Sequence, residues 1–161
     1  MLLPGHLLVS YFFVDHVSRK IKKRKLFIIT TLIFSILPDI DILFVGGIAR
    51  HHQTLTHAPL FWILVFILFN LLALALNSAF IKTISFGILI GAISHMILDT
   101  FGMSIGLSWL APFSWKDYSF LPLNFEYAGN NWWQHYVRST AFIIEALVTT
   151  TIIVKRLSEG Y

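Results

Sequence analysis

The chain has 161 residues, 57% of them hydrophobic and only 12% charged, against about 25% charged in a soluble globular domain; this is one domain's length with the composition of a membrane protein. It contains no Cys, which excludes disulfides, thiolate zinc sites and cysteine nucleophiles. The formal charge is +4, and six of the twelve basic residues fall within Arg19–Lys25, beside apolar sequence, where a topology signal is the expected reading and a nucleic-acid partner is not.

The expected fold is an all-α membrane protein: a single domain over 1–161 with about five helical segments in a bundle and a long interfacial loop before the last helix. Residues 2–17 form an apolar segment with His6 near its start and Asp15-His16 at its end. It is somewhat short for a full span at about 1.5 Å per residue. No Lys or Arg precedes this run, so an uncleaved helix is expected rather than a signal peptide. After the basic loop comes a segment over 26–45, broken or ended near Pro38. Gly46-Gly47 and the polar stretch Arg50–His57 read as a loop. Residues 58–76 are the clearest span, 77–83 a short turn holding Lys82, and 84–101 a fourth span carrying Ser94, His95 and Asp99. The connection 102–138 holds four of the five Trp, at 109, 115, 132 and 133, as expected of a segment lying at the membrane interface. Residues 139–154 form the last span.

With the Arg19–Lys25 loop in the cytoplasm and the spans alternating, nine basic residues fall inside: the six of the loop, Lys82, Lys155 and Arg156. Only Arg50, Lys116 and Arg138 fall outside, a strong positive-inside bias. This topology gathers His6, Asp39, Asp41, His52, His57, His95 and Asp99 at the outer face and leaves Asp15 and His16 at the other. The expected location is therefore the cytoplasmic (inner) membrane, with a site facing the extracytoplasmic side.

Ionisable groups inside apolar segments are costly and point to function. Leu37-Pro38-Asp39-Ile40-Asp41 sets two carboxylates within the second segment. On a helix they would diverge, so both face inward only if Pro38 helps to unwind the turn. His95 and Asp99 are spaced i, i+4 and share one helix face. That suits two ligands of one ion, or a carboxylate orienting a ligating imidazole. Each piece alone has an ordinary alternative: a satisfied His–Asp pair, a helix-ending turn, a polar interfacial loop over His52–His57. Four His and three Asp on one face are better explained as ligands. Mixed imidazole and carboxylate donors suit a divalent metal, zinc first, with manganese or iron as alternatives. Seven candidates exceed one tetrahedral shell, so one or two ions are expected.

The opening Gly5-His6-Leu7-Leu8, the Leu37–Asp41 block, His52 to Thr56-His57, and Gly91 through Ser94-His95 to Leu98-Asp99 together resemble the bacterial and archaeal membrane-bound metal-dependent hydrolases, some of them described as LexA-binding inner-membrane hydrolases. Leu107–Trp115, with Pro112-Phe113, is similar to the family's Trp-Pro segment, and the resemblance covers most of 1–122. It implies metal-dependent hydrolysis. Two positions depart from the family: Ile42 stands where a His is frequent, and Gln53 where an Arg is frequent, with Arg50 available as a substitute cation.

The resulting expectation is a membrane-embedded metal-dependent hydrolase. Its ligands are Asp39, Asp41, His57, His95 and Asp99, then His6 and His52. Asp39, Asp41, Asp99 and Arg50 are the candidate catalytic groups, one carboxylate acting as a base. The interfacial position of the site points to a phosphoester of a lipid or lipid-linked substrate. Two other classes compete: an ion or metal transporter, and a non-catalytic metal-stabilised interaction protein with a partner on the basic loop. Gly102-Met103-Ser104-Ile105-Gly106 fits a nucleophile elbow by spacing, but follows an apolar helix where a strand is required. Asn70 and Glu145, within spans, are expected to make helix–helix hydrogen bonds.

Overall fold

The structure, a computed structural model, describes residues 3–45, 52–102, 106–119, 132–138 and 140–158. The described residues are helical apart from turns and one isolated antiparallel bridge between Leu107 and Tyr118. The helices are α1 (Leu3–Val17), α2 (Arg24–Phe34), α3 (Ile42–Val45), α4 (Pro59–Ala75), α5 (Ala79–Gly102), α6 (Trp132–Val137) and α7 (Thr140–Ser158). Two stretches, Arg24–Val45 and Ala79–Phe101, are long and apolar enough to cross a membrane, and α4 is a shorter apolar helix. Large apolar side chains such as Leu43, Phe44, Leu68 and Leu74 are exposed, while His6, His52, His57, His95 and Asp99 are buried. That inversion of the soluble pattern suits a surface solvated by lipid.

The second segment is not one helix. Pro38 cannot donate to the preceding turn, so α2 stops at Phe34 and the chain passes through a 3-10 turn, Leu37–Asp41, before α3. The fourth segment starts five residues before the expected 84. Ser78 accepts from the Ile81 amide at 3.3 Å, capping α5 at Ala79, so the turn narrows and Lys82 lies on the helix. The last helix likewise runs on to Ser158.

Close packing of α5 on α2 sets the geometry of the bundle. Gly87 and Gly91 form a G-x-x-x-G stripe, a pattern that lets two backbones approach. A Cβ at Gly91 would lie 2.9 Å from both the carbonyl carbon and the Cβ of Phe34, and one at Gly87 would lie 2.7 Å from Thr30 Cβ. Continued by fours, the same face carries His95 and Asp99. Trp62 of α4 packs with Ile88, Ala92, Met96 and Leu107, its ring edge-on to Phe34 at 5.6 Å. As the sequence led us to expect, Asn70 links helices, donating to Ser85 Oγ at 2.9 Å. Ser10 and Ser94 join α1 to α5 at 3.0 Å. Glu145 of α7 accepts from Tyr136 and lies against Gly5, where a Cβ would be 2.6 Å from its Oε1.

The two ends of the bundle carry different chemistry. At one, Asp15 pairs with Arg24 and with Arg156, the latter at 3.1 Å. Lys23 lies over the Phe80 ring there, beside the basic loop. Asp15 is thus occupied by guanidinium groups. The other end holds the start of α1, the 3-10 turn after α2, the turn before α4 and the last turns of α5.

Candidate metal centre

Three segments bring the four donors to that second end. His95 and Asp99 come from α5, Asp39 from the turn that Pro38 imposes, and His57 from a 3-10 turn, Leu55–His57, immediately before Pro59 starts α4. Trp62 fixes that turn by donating Nε1–H to the Thr56 carbonyl at 2.7 Å. One donor atom from each of Asp39, His57, His95 and Asp99 lies within 4.8 Å of the others.

The distances describe a shell. Asp39 Oδ1 is 3.5 Å from His57 Nε2 and 3.4 Å from His95 Nε2. The two imidazole nitrogens are 3.3 Å apart. Asp99 Oδ2 lies 2.9 Å from His95 Nε2 and 3.9 Å from His57 Nε2. Four donors held about 2.0–2.1 Å from a tetrahedral ion are separated by about 3.3 Å. Five measured edges scatter about that value.

The opposite ring nitrogens are held elsewhere. His95 Nδ1 is 2.8 Å from the Ser35 carbonyl, and His52 Nδ1 is 3.1 Å from that of Gly106. A carbonyl only accepts, so each Nδ1 carries the proton and each Nε2 presents a lone pair. His57 Nδ1 is 3.2 Å from Asp41 Oδ2, which also accepts from the hydroxyls of Thr54 and Thr56. Nε2 lone pairs and carboxylate oxygens therefore converge on one point, where only a cation relieves their repulsion. This is the arrangement by which outer hydrogen bonds orient metal-ligating histidines.

Burial lowers the His52 pKa against the pull of Asp99 and keeps that ring neutral. Burial opposes charge on His57 too, but its bonds to Asp39 and Asp41 prevail and raise its pKa. The residues present fit a divalent metal with nitrogen and oxygen donors.

Of the residues singled out by sequence, Asp39, His57, His95 and Asp99 form this shell. His6 and His52 flank it at Asp99: His6 Nε2 is 3.2 Å from Oδ1, and His52 Nε2 is 3.7 Å from Oδ2. Asp41 faces the Nδ1 of His57 rather than the common point. Arg50 and Ser104 lie outside the described residues, and the residues leading to Ser104 are the end of α5, not a strand. Sequence reasoning missed the Ser35 and Gly106 carbonyls and the Thr54 and Thr56 hydroxyls. Backbone acceptors leave no mark on a residue pattern, except that Gly106 has φ +66°, a conformation glycine adopts without strain. The stretch 106–119, expected as an interfacial loop, turns back on the bundle: Leu107 is buried, and Trp109 Nε1 donates to Thr100 Oγ1 at 2.9 Å.

The fold and this cluster define an α-helical membrane protein with a buried His–Asp centre suited to a divalent metal. The profile of the YdjM inner membrane protein family matches residues 1–159, and the chain belongs to that family. Neither the curated proteins nor the solved structures contain a significant match.

Proposed function

We propose that this protein is a metal-dependent hydrolase of the inner membrane, acting on a phosphoester of a lipid or lipid-linked substrate at the extracytoplasmic face. The observation that carries the reading is the convergence of His57 Nε2, His95 Nε2, Asp39 Oδ1 and Asp99 Oδ2 with tetrahedral spacing, each histidine already held through Nδ1. A divalent ion, zinc first among the candidates, supplies Lewis acidity to phosphoester hydrolysis. Asp99, His57 and His95, with side chains 0–2% exposed, would hold the ion and exclude water from its inner side. Asp39 is 13% exposed, the most accessible of the four donors, and is placed to yield its position to substrate and then, as a freed carboxylate, to take the proton of the attacking water. Arg50, two residues before His52 in sequence, is the cation proposed to meet the phosphoryl charge.

Two features favour an enzyme over a transporter. Between the donors and the basic end, the buried polar side chains among the described residues are hydroxyls, such as Ser10, Thr30, Thr31 and Ser85, with no buried carboxylate or imidazole to pass an ion onward, whereas transport requires ion-binding groups leading to both faces. The basic loop, with the Asp15–Arg24–Arg156 cluster beside it, lies at the other end, which by the positive-inside rule turns the donors outward. The test is a panel of lipid phosphates, diphosphates and phosphodiesters in liposomes, with wild type and Asp99→Ala. Turnover should stop with chelator, return with added metal and be absent in Asp99→Ala. Turnover that survives both, or metal-dependent ion flux without hydrolysis, overturns the proposal.

A further inference from the structure

We infer that the centre holds a second divalent cation, bound by His6 and His52 and sharing Asp99 with the first. The inference rests on the metal reading above but not on the hydrolytic one. Asp39, His57, His95 and one oxygen of Asp99 already complete a four-donor shell. His6 and His52 stand outside that shell, and both are buried to 0–1% exposure beside the same carboxylate.

The arrangement of His6 is that of a ligand to a neighbouring ion. Its ring stacks on His95 with centroids 4.1 Å apart and planes 19° from parallel. His95 Nε2 faces Asp99 Oδ2 at 2.9 Å, and His6 Nε2 faces Oδ1 of the same carboxylate at 3.2 Å. Two near-parallel imidazoles thus address the two oxygens of one bridging group. His6 Nδ1 has no hydrogen-bond partner among the described residues, so no side chain or carbonyl there commits the ring to a purely structural bond. His52 brings a second nitrogen, its Nδ1 held by Gly106 and its Nε2 3.7 Å from Asp99 Oδ2.

The fold has a reason to place His6 there. Gly5 leaves no Cβ, and Glu145 occupies that space while accepting from Tyr136. The first turn of α1 is thereby tied to α7 with His6 turned into the bundle. This role adds α1 and the loop before α4 to the centre and makes Asp99 the group common to both ions.

The experiment measures manganese bound per chain in purified full-length protein, after removal of metal and reloading, by mass spectrometry and by electron paramagnetic resonance. Wild type should bind two ions per chain and show the signal of an exchange-coupled pair. His6→Gln and His52→Gln should each bind one ion, with an uncoupled six-line spectrum and a melting temperature close to that of wild type without metal. His95→Gln should lose the coupled signal by removing the first ion. One ion per chain at saturation in wild type, or a coupled pair retained in His6→Gln, overturns the inference. Two ions bound without hydrolysis of any substrate leaves it standing and refutes the function proposed above; hydrolysis with one ion does the reverse.

Discussion

Gly91→Ala is the substitution whose consequence the structure specifies most closely. The new Cβ would clash first with the Thr31 carbonyl oxygen and would sit 2.9 Å from the Phe34 Cβ and carbonyl carbon, whereas carbon atoms rest about 3.5–4.0 Å apart. Helices α2 and α5 must therefore separate by about 0.6 Å or more at this level. Next to it on α5, His95 donates to the Ser35 carbonyl at the end of α2 at 2.8 Å. The same separation would stretch that bond to about 3.4 Å, beyond the usual limit of about 3.2 Å. His95 would lose the contact that fixes its tautomer, and its distance to Asp39 would grow. Overpacking costs about 1–3 kcal/mol, and losing the hydrogen bond behind a metal ligand costs about 10–100-fold in metal affinity. Gly87→Ala is the internal control. Its Cβ meets the Thr30 side chain at 2.7 and 2.9 Å, and it lies two helical turns from His95. It should lower the melting temperature while changing metal affinity less than threefold or so, below the range above. The assay is zinc affinity by competition with a chromophoric chelator, alongside thermal melting in detergent. Equal metal affinity in Gly91→Ala and wild type would refute the link between the glycine stripe and the centre.

Asp41→Asn should weaken zinc binding about 10–100-fold while leaving the number of ions per chain unchanged, because Asp41 orients His57 from behind; a loss of stoichiometry in the same competition assay would make it a direct ligand. Trp62→Phe removes the bond to the Thr56 carbonyl and should cost about 1 kcal/mol of stability, read as a lower melting temperature. Arg156→Ala should leave metal content intact and shift stability by about 0–1 kcal/mol, since its pair with Asp15 is partly exposed; altered metal content would contradict the separation of the two ends. Cys introduced at Lys22 should resist an impermeant thiol reagent on intact cells and Cys at Asn130 should react, with the opposite labelling reversing the proposed sidedness.

Much of this centre was legible because membrane burial is selective. In apolar segments a His or Asp stands out, and alternation of spans alone places His6, Asp39, His57, His95 and Asp99 at one end. The i, i+4 spacing of His95 and Asp99 survives as a contact of 2.9 Å. Pro38 correctly marked the break that turns Asp39 inward. Asp41 was harder: two carboxylates two residues apart look equivalent in sequence, and only the 3-10 turn decides which meets the shell and which backs His57. The start of α5 was missed because Lys82 reads as a turn residue, whereas Ser78 caps a helix that begins before it. The backbone carbonyls of Ser35 and Gly106 belong to no residue type, so their part in orienting His95 and His52 emerges only from the fold.

The measurement that bears most directly on the central claim is X-ray absorption at the metal edge of the purified, zinc-loaded protein. Nitrogen and oxygen donors at about 2.0–2.1 Å, with the outer-shell scattering of more than one imidazole, are predicted for wild type, with the imidazole contribution reduced in His57→Ala and His95→Ala. Absence of bound zinc, or a spectrum unchanged by both substitutions, would contradict the assignment of this cluster as a metal centre.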